Sequence, residues 1–173
     1  MNRVFRALLL LSLVASACSA RPTIADESFV EAMLPHHDLG LELLDQAGFR
    51  ASDVRLRRLV FEMSGYHRHE VELLSERRND WGLTAASDFP GRISSNELAR
   101  LNAAQGGDYD ELWLELMIRH HEGAIEISRA AINGRASQEI SRLAGNIITV
   151  QTSEVEQMRA LLGQLVAETT TTP

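Results

Sequence analysis

The chain has 173 residues, of which 24% are charged and 5% are aromatic, and its formal net charge at pH 7 is −7. Such an acidic chain is repelled by a phosphate backbone, which excludes nucleic acid as an expected partner. Cys18 is the only cysteine, so no disulfide can form within the chain, and packing or a bound ion must stabilise the fold.

Residues 1–17 have the pattern of an export signal. Two arginines precede the apolar run ALLLLSLVA (7–15), which is far shorter than the about 20 residues that a membrane span needs. Ala15 and Ala17 are the small residues that signal peptidases require, and Cys18 follows directly, as in a bacterial lipobox. We therefore predict an exported protein that a lipid on Cys18 holds at the membrane surface. Cleavage without lipidation, which would leave a soluble secreted or periplasmic protein, is the alternative.

The rest of the chain contains two copies of one sequence repeat. Residues 26–82 align with residues 110–166 without a gap at an offset of 84, and 13 of the 57 positions are identical. The identities include two double histidines, at 36–37 and 120–121, each preceded by a methionine. Such self-similarity predicts an internal duplication.

Each copy is predicted to be a helical hairpin. The segments AGFRAS (47–52) and INGRAS (132–137) supply a glycine that can end one helix and a serine that can cap the next. Residues 18–25 are predicted to be a tether, 26–82 repeat one, 83–107 a linker, 108–166 repeat two and 167–173 a disordered tail. Two hairpins joined by a long crossover predict an all-α four-helix bundle.

Shorter signals locate the remaining boundaries. Ser94 with Glu97 predicts a short helix through Leu101, which the glycine pair at 106–107 would end. Asp108 with Glu111 predicts the capping box of the third long helix.

One further residue interrupts the first helix. Pro35 removes the helical donor of the Glu31 carbonyl, and we expect it to curve the helix around the core.

Helical periodicity predicts that several polar side chains face the core. At 100° per residue, each histidine pair flanks the apolar stripe of its helix, and the second and fourth helices carry polar residues within their stripes. His69, in contrast, points outward. The predicted inward set comprises His36, His37, His67, His120, His121, Glu70, Glu154, Gln151, Met33, Met63 and Met117.

This inward set has three interpretations. Burying a carboxylate costs several kcal/mol unless it is paired or bound to a cation. Imidazole, carboxylate and thioether are all metal ligands, and histidine with methionine favours copper, with zinc or iron as alternatives. The second interpretation is a structural network in which the rings pair with Glu70 and Glu154 while the methionines fill space. The third is redox or other enzymatic chemistry.

The segments GGDYDELWLELMIRHHEGAIEISRAA (106–131) and RLAGNIITVQTSEVEQM (142–158) resemble the bacterial domain-of-unknown-function family 305. Its pattern is a double histidine followed by Gly-Ala-Ile and, one helix later, Gln-x-x-Glu-[Ile/Val]-x-x-Met. The positions filled here are His120, His121, Gly123, Ala124, Ile125, Gln151, Glu154, Val155 and Met158. The resemblance spans about residues 26–166.

The resemblance implies a ferritin-like four-helix fold, export or lipid anchoring, no established enzymatic activity, and copper handling in some members. Ile127 replaces a methionine of the pattern, and Arg119 replaces a proline that repeat one keeps as Pro35. His67 and Leu74 stand where the pattern has glutamine and methionine. Fewer methionines weaken a specific case for copper, whereas His67 adds a ligand suited to copper, zinc or iron.

The sequence therefore predicts a non-catalytic, membrane-tethered metal-binding protein outside the cytoplasm. A metal-free structural or interaction module is the first alternative. A di-iron redox protein is the remote one, because such sites use four or more carboxylates and only Glu70 and Glu154 are predicted to face inward. No feature of the sequence indicates a protein partner.

Overall fold

The computed structural model describes residues 21–171, which are all-α, as predicted. The helices are α1 (Ile24–Arg50), α2 (Val54–Trp81), α3 (Ser95–Ala103), α4 (Gly106–Asn133) and α5 (Gln138–Thr171). No helix among residues 21–171 is long and apolar enough to cross a membrane. Cys18, the predicted signal peptide and the last two residues lie outside the described part of the chain.

Helix boundaries agree with the sequence signals at some ends and differ at others. Thr23 caps α1 in a capping box with Asp26, so this helix takes in the last two residues of the predicted tether. Ser94 and Glu97 form the predicted capping box of α3. Hydrogen bonds from Ser94, and then the neighbouring Arg119 on α4, lower the pKa of Glu97 to about 2.

Two predicted boundaries are wrong. The capping box of Asp108 with Glu111 does not start α4, because that helix already begins at Gly106. Its N-cap residue is Gln105, whose side chain makes no capping hydrogen bond. The glycine pair at 106–107 therefore opens a helix instead of separating two. At the other end, α5 runs to Thr171 and includes residues 167–171, which were predicted to be disordered.

The four long helices pack in a ring around one core. α1 packs along α2, α4 along α5, and α1 against α4, whereas α2 and α5 touch only sparsely. The buried apolar residues form two clusters: one contains Leu44, Met63 and Trp113, and the other contains Phe29 and Ile147. On every long helix the predicted inward polar residues fall between these two clusters, so a polar layer divides the apolar core.

A pair of duplicated aspartates connects the two repeats. Asp110 of repeat two accepts hydrogen bonds from Ser52 and Asp53 at the turn of repeat one. Its counterpart Asp26 accepts from Ser137 at the turn of repeat two. Both aspartates are 1% exposed. Burial raises the pKa of Asp26, but the hydrogen bonds from Thr23 and Ser137 outweigh it and hold that pKa below its ordinary value. Each repeat therefore caps the other, a role that sequence reasoning missed.

Pro35 has a second consequence besides curvature. The Glu31 carbonyl that it leaves without a helical donor accepts a hydrogen bond from the backbone N–H of Ala86, at 2.8 Å. Ala86 belongs to the crossover between the repeats. The proline thus creates an acceptor on α1 that fixes the crossover against the layer of histidines.

Replacing Asp110 by Asn should lower the free energy of unfolding by about 1–3 kcal/mol, because a buried, charge-assisted cap is lost. Asp108→Asn is the matched control, since Asp108 is exposed two residues away on the same helix. The control should stay within about 0.5 kcal/mol of the wild type. Urea denaturation followed by circular dichroism measures both, and equal stabilities for the two variants would contradict the capping role.

Candidate metal centre

Five of the six histidines lie in the polar layer. His36, His37, His120 and His121 are 0% exposed and His67 is 1% exposed, while His69 is exposed as predicted. Glu70, Glu154 and Gln151 are buried with them, as are Met33, Met63 and Met117. The structure therefore buries every residue of the predicted inward set, although their role as metal ligands stays a prediction.

Two histidines pair with carboxylates in equivalent ways. His37 Nε2 lies 2.8 Å from Glu70 Oε2, and His121 Nε2 lies 3.1 Å from Glu154 Oε2. Each pair bridges the two helices of one hairpin, with the same separation along the chain. The contacts are what either a structural network or an oriented ligand would show, because ligating histidines commonly donate their other ring N–H to a carboxylate.

The other three histidines are bonded to backbone carbonyls. His36 Nε2 lies 2.9 Å from the carbonyl of His120, and His120 Nδ1 lies 3.0 Å from that of Gly91. His67 Nδ1 lies 3.2 Å from the carbonyl of Met63. A carbonyl oxygen only accepts, so each of these ring nitrogens must carry the proton. In a neutral ring the other nitrogen then holds an unprotonated lone pair.

Those other nitrogens have no hydrogen-bond partner among the protein atoms of residues 21–171. Within residues 21–171, the five buried ring nitrogens without a partner are His36 Nδ1, His37 Nδ1, His67 Nε2, His120 Nε2 and His121 Nδ1. The amide of Gln151, which repeat two carries in place of His67, is also unpartnered at both atoms. Each ring is thus held by one nitrogen and leaves one buried nitrogen available, and such orphan atoms require an explanation.

The rings themselves are close neighbours. His36 stacks on His120 with ring centroids 3.7 Å apart. His67 lies between His37 and His121, with centroid separations of 5.0 and 5.3 Å. The five histidines therefore form a stacked pair beside a row of three.

Burial keeps three of these rings neutral. Desolvation, together with the proximity of other histidines, lowers the pKa of His36 and of His67 well below the ordinary value. The same causes, desolvation first, lower the pKa of His120 to about 3. Neutral imidazole is the form that binds a metal ion.

The layer is not a closed coordination shell. Among residues 21–171 no group of three His, Cys, Asp or Glu side chains has the geometry to hold an ion. Met33 lies in one apolar cluster, and Met63 and Met117 lie in the other. Gly40 leaves room at the rings, since a Cβ there would lie 3.0 Å from His120 Nε2 and 3.3 Å from His67 Cδ2.

The crossover covers one side of the layer, which sequence reasoning missed. Phe89 packs 5.4 Å from the ring of His36, and Gly91, at φ 74°, presents its carbonyl to His120. The approach depends on Gly123, because a Cβ there would lie 2.3 Å from the Pro90 carbonyl oxygen. The Gly-Ala-Ile that follows the double histidine was the available signal for this close contact.

Comparison with known proteins agrees with these features. The family model of the domain of unknown function DUF305 matches residues 26–162. The chain belongs to the DUF305 family. No curated protein matches the chain significantly.

Solved structures of two DUF305 proteins and of CopM share the fold. A fragment from Deinococcus radiodurans is 26% identical, with a TM-score of 0.75 over 84% of this chain and 99% of that one. A DUF305 protein from Streptomyces coelicolor, which is described as secreted, is 24% identical. Its TM-score is 0.75 over 82% of this chain and 92% of that one. CopM in its Cu(I)-bound form is 23% identical, with a TM-score of 0.70 over 80% and 95%. CopM has also been solved with Cu(II) and with silver bound.

Gly123→Ala should lower the free energy of unfolding by about 1–3 kcal/mol, because its methyl group would overlap the backbone of Pro90 and Gly91. The displaced crossover should also be cleaved faster by trypsin after Arg92. The matched control is Gly145→Ala in α5, where a Cβ meets nothing within 4 Å. It should stabilise the helix by about 0.5–1 kcal/mol, and equal trypsin sensitivity of both variants would contradict the close contact.

The metal-free protein should lose stability as the pH falls below 6.5. The unfolded chain takes up protons near that ordinary pKa, whereas His36, His67 and His120 take them up only at lower pH. Each neutral ring therefore makes its full contribution to the free energy of unfolding above pH 6.5. Below that pH the contribution falls by up to about 1.4 kcal/mol per pH unit for each ring. His67→Gln, which copies Gln151 of repeat two, should reduce the slope. Urea denaturation between pH 7.5 and 5 measures it, and a flat profile would contradict neutral rings.

Proposed function

We propose that this DUF305 protein is a non-catalytic, exported protein that binds a transition metal ion, with copper favoured, for sequestration or homeostasis. The observation that carries the proposal is the set of five buried ring nitrogens without a hydrogen-bond partner. We further propose that the four long helices form a ferritin-like four-helix bundle made of two hairpins, with the ligands in its core.

The hydrogen bonds of the five rings favour a ligand role over a purely structural one. A structural histidine would be expected to use both ring nitrogens, because a buried atom without a partner costs about 1–3 kcal/mol. Here every ring is oriented by one nitrogen, through a carbonyl or a carboxylate, and the second nitrogen is left for another electron-pair acceptor. A metal ion is such an acceptor, and this arrangement is the usual support of ligating histidines.

The ligand types favour copper. Neutral imidazole suits copper, zinc and iron alike, whereas the thioethers of Met33 and Met117, three residues before each histidine pair, favour Cu(I). CopM, which has the same fold, binds Cu(I), Cu(II) and silver. Zinc and iron are the alternatives to be tested beside copper.

Binding requires small side-chain movements. His67 stands between His37 and His121, so these three rings form the first group of ligands for one ion. His36 and His120 form the second ligand pair, and Gln151 and Met63 support the layer. The proposal therefore uses His36, His37, His67, His120 and His121 as ligands, with Met33, Met117, Glu70 and Glu154 completing the set.

Attachment to the envelope is part of the proposal. The lipobox-like segment that ends at Cys18 supports a lipid anchor, and α1 begins at Ile24, only a few residues farther along the chain. The membrane surface is then the partner, and the metal layer lies outside the cytoplasm. Secretion without a lipid is the alternative location.

A metal-free structural module is the competing function, and the absence of a closed shell among the described residues favours it. A di-iron redox protein has less support. Apart from Glu70 and Glu154, the buried carboxylates among residues 21–171 are Asp26 and Asp110, and both serve as caps of the hairpin turns.

Titration of the metal-free protein with copper should show one or two bound ions. Copper at 100 times its dissociation constant should raise the free energy of unfolding by about 2.7 kcal/mol. His120→Ala combined with His121→Ala should abolish both effects. His69→Ala is the matched control, because His69 is exposed outside the layer, at the wall of a cavity between α2 and α5. It should leave the number of bound ions and the equilibrium affinity as in the wild type.

The competing functions give different results in the same experiment. Binding that survives in the double variant, or a midpoint of unfolding that copper leaves unchanged, would contradict the proposal and favour the structural module. An optical change on adding ferrous iron in the presence of oxygen would favour redox chemistry instead.

A further inference from the structure

The seam between α2 and α5 differs from the other helix contacts around the layer. The other neighbouring long helices pack closely, whereas α2 and α5 touch only sparsely. Two adjoining cavities of about 370 and 330 Å³ lie along this seam, and both are lined by Tyr66, Thr149 and Val150. The seam is therefore the most loosely packed of the four contacts between the long helices.

Each cavity reaches one carboxylate of the layer. Glu70 lines the larger cavity and Glu154 the smaller one. Their side chains are 11% and 8% exposed, while the side chains of His37 and His121, to which they are hydrogen-bonded, are 0% exposed. From solvent inward, the smaller path thus meets a carboxylate first and an imidazole with an unpartnered nitrogen behind it. The larger path has the same order at Glu70, with the exposed His69 on its outer wall.

The walls of both cavities suit a cation. None of the described arginines lines either cavity, although the chain has 17 basic residues. Arginines do line the neighbouring surface depressions: Arg55 and Arg58 in one, Arg57 and Arg68 in another. The smaller cavity adds the carboxylate of Glu62 at its rim and the thioether of Met63. Walls of one charge sign concentrate ions of the opposite sign.

We infer that the seam between α2 and α5 is the route by which a metal cation reaches and leaves the histidine layer, with Glu70 and Glu154 as its inner carboxylates. The inference rests on the proposed function, because a route presupposes an ion bound in the layer. Beyond binding itself, the route specifies the path of the ion, the positive charge of the ion that the path admits, and a kinetic role for the two carboxylates.

A charge placed on the seam tests the route without touching the layer. Thr149 is exposed and lines both cavities, so Thr149→Arg should repel Cu²⁺ from both paths. We expect loading to slow by about tenfold at low salt and to recover at high salt, because salt screens exposed charges. Thr149→Glu should accelerate loading. Thr152→Arg is the matched control, since Thr152 is exposed on the same helix and lines neither cavity.

Stopped-flow quenching of tryptophan fluorescence by Cu²⁺ measures loading, and competition with a chromophoric chelator measures equilibrium affinity. Release should slow together with loading in Thr149→Arg, so the affinity should stay that of the wild type. Loading rates of Thr149→Arg and Thr149→Glu that both equal the rate of Thr152→Arg, with copper still bound, would overturn the route alone. A wild-type protein that binds no copper at equilibrium would overturn the proposed function itself.

Discussion

A carbonyl oxygen can accept a hydrogen bond but cannot donate one, and this constraint decides the chemistry of the histidine layer. It fixes the protonated nitrogen of His36, His67 and His120, and burial keeps these rings neutral. A lone pair therefore remains on the opposite nitrogen of each ring, inside the protein and without a proton donor. The carbonyls of His120 and Gly91 reach their rings through the packing of α1 against α4 and of the crossover against α4.

The crossover shows how a distant segment brings such a carbonyl to a ring. Its Gly91 supplies the carbonyl for His120, but the segment can approach α4 only because Gly123 has no side chain. At α1, Pro35 leaves the Glu31 carbonyl free to accept from the backbone N–H of Ala86. A proline and two glycines, which weaken helices elsewhere, here let one connecting segment pack against two helices at once.

Duplication explains the symmetry of the layer, and the single crossover explains where the symmetry fails. The pairs of His37 with Glu70 and of His121 with Glu154 are equivalent because each lies within one hairpin. His36 and His120 occupy equivalent positions, yet only the ring of His120 is hydrogen-bonded to the crossover, whereas that of His36 packs against Phe89 there. His67 and Gln151 occupy equivalent positions but differ in residue type for another reason, which is divergence of the two copies. Close packing on three sides and a sparse seam on the fourth would allow the layer to hold an ion and still exchange it.

The sequence by itself determined the helices, the duplication and the set of buried polar side chains. These follow from local rules and from periodicity: apolar residues recur every three or four positions, and His67 and Glu70 fall within that stripe. The sequence-based prediction was wrong about where α4 begins and where α5 ends, because propensity signals are weak at these two helix ends. Only the tertiary structure decided what the polar side chains contact. The carbonyls of Gly91 and His120, the caps at Asp26 and Asp110, and the seam beside Glu70 join segments that lie far apart in the chain. No periodicity records such contacts, because they depend on how whole helices pack.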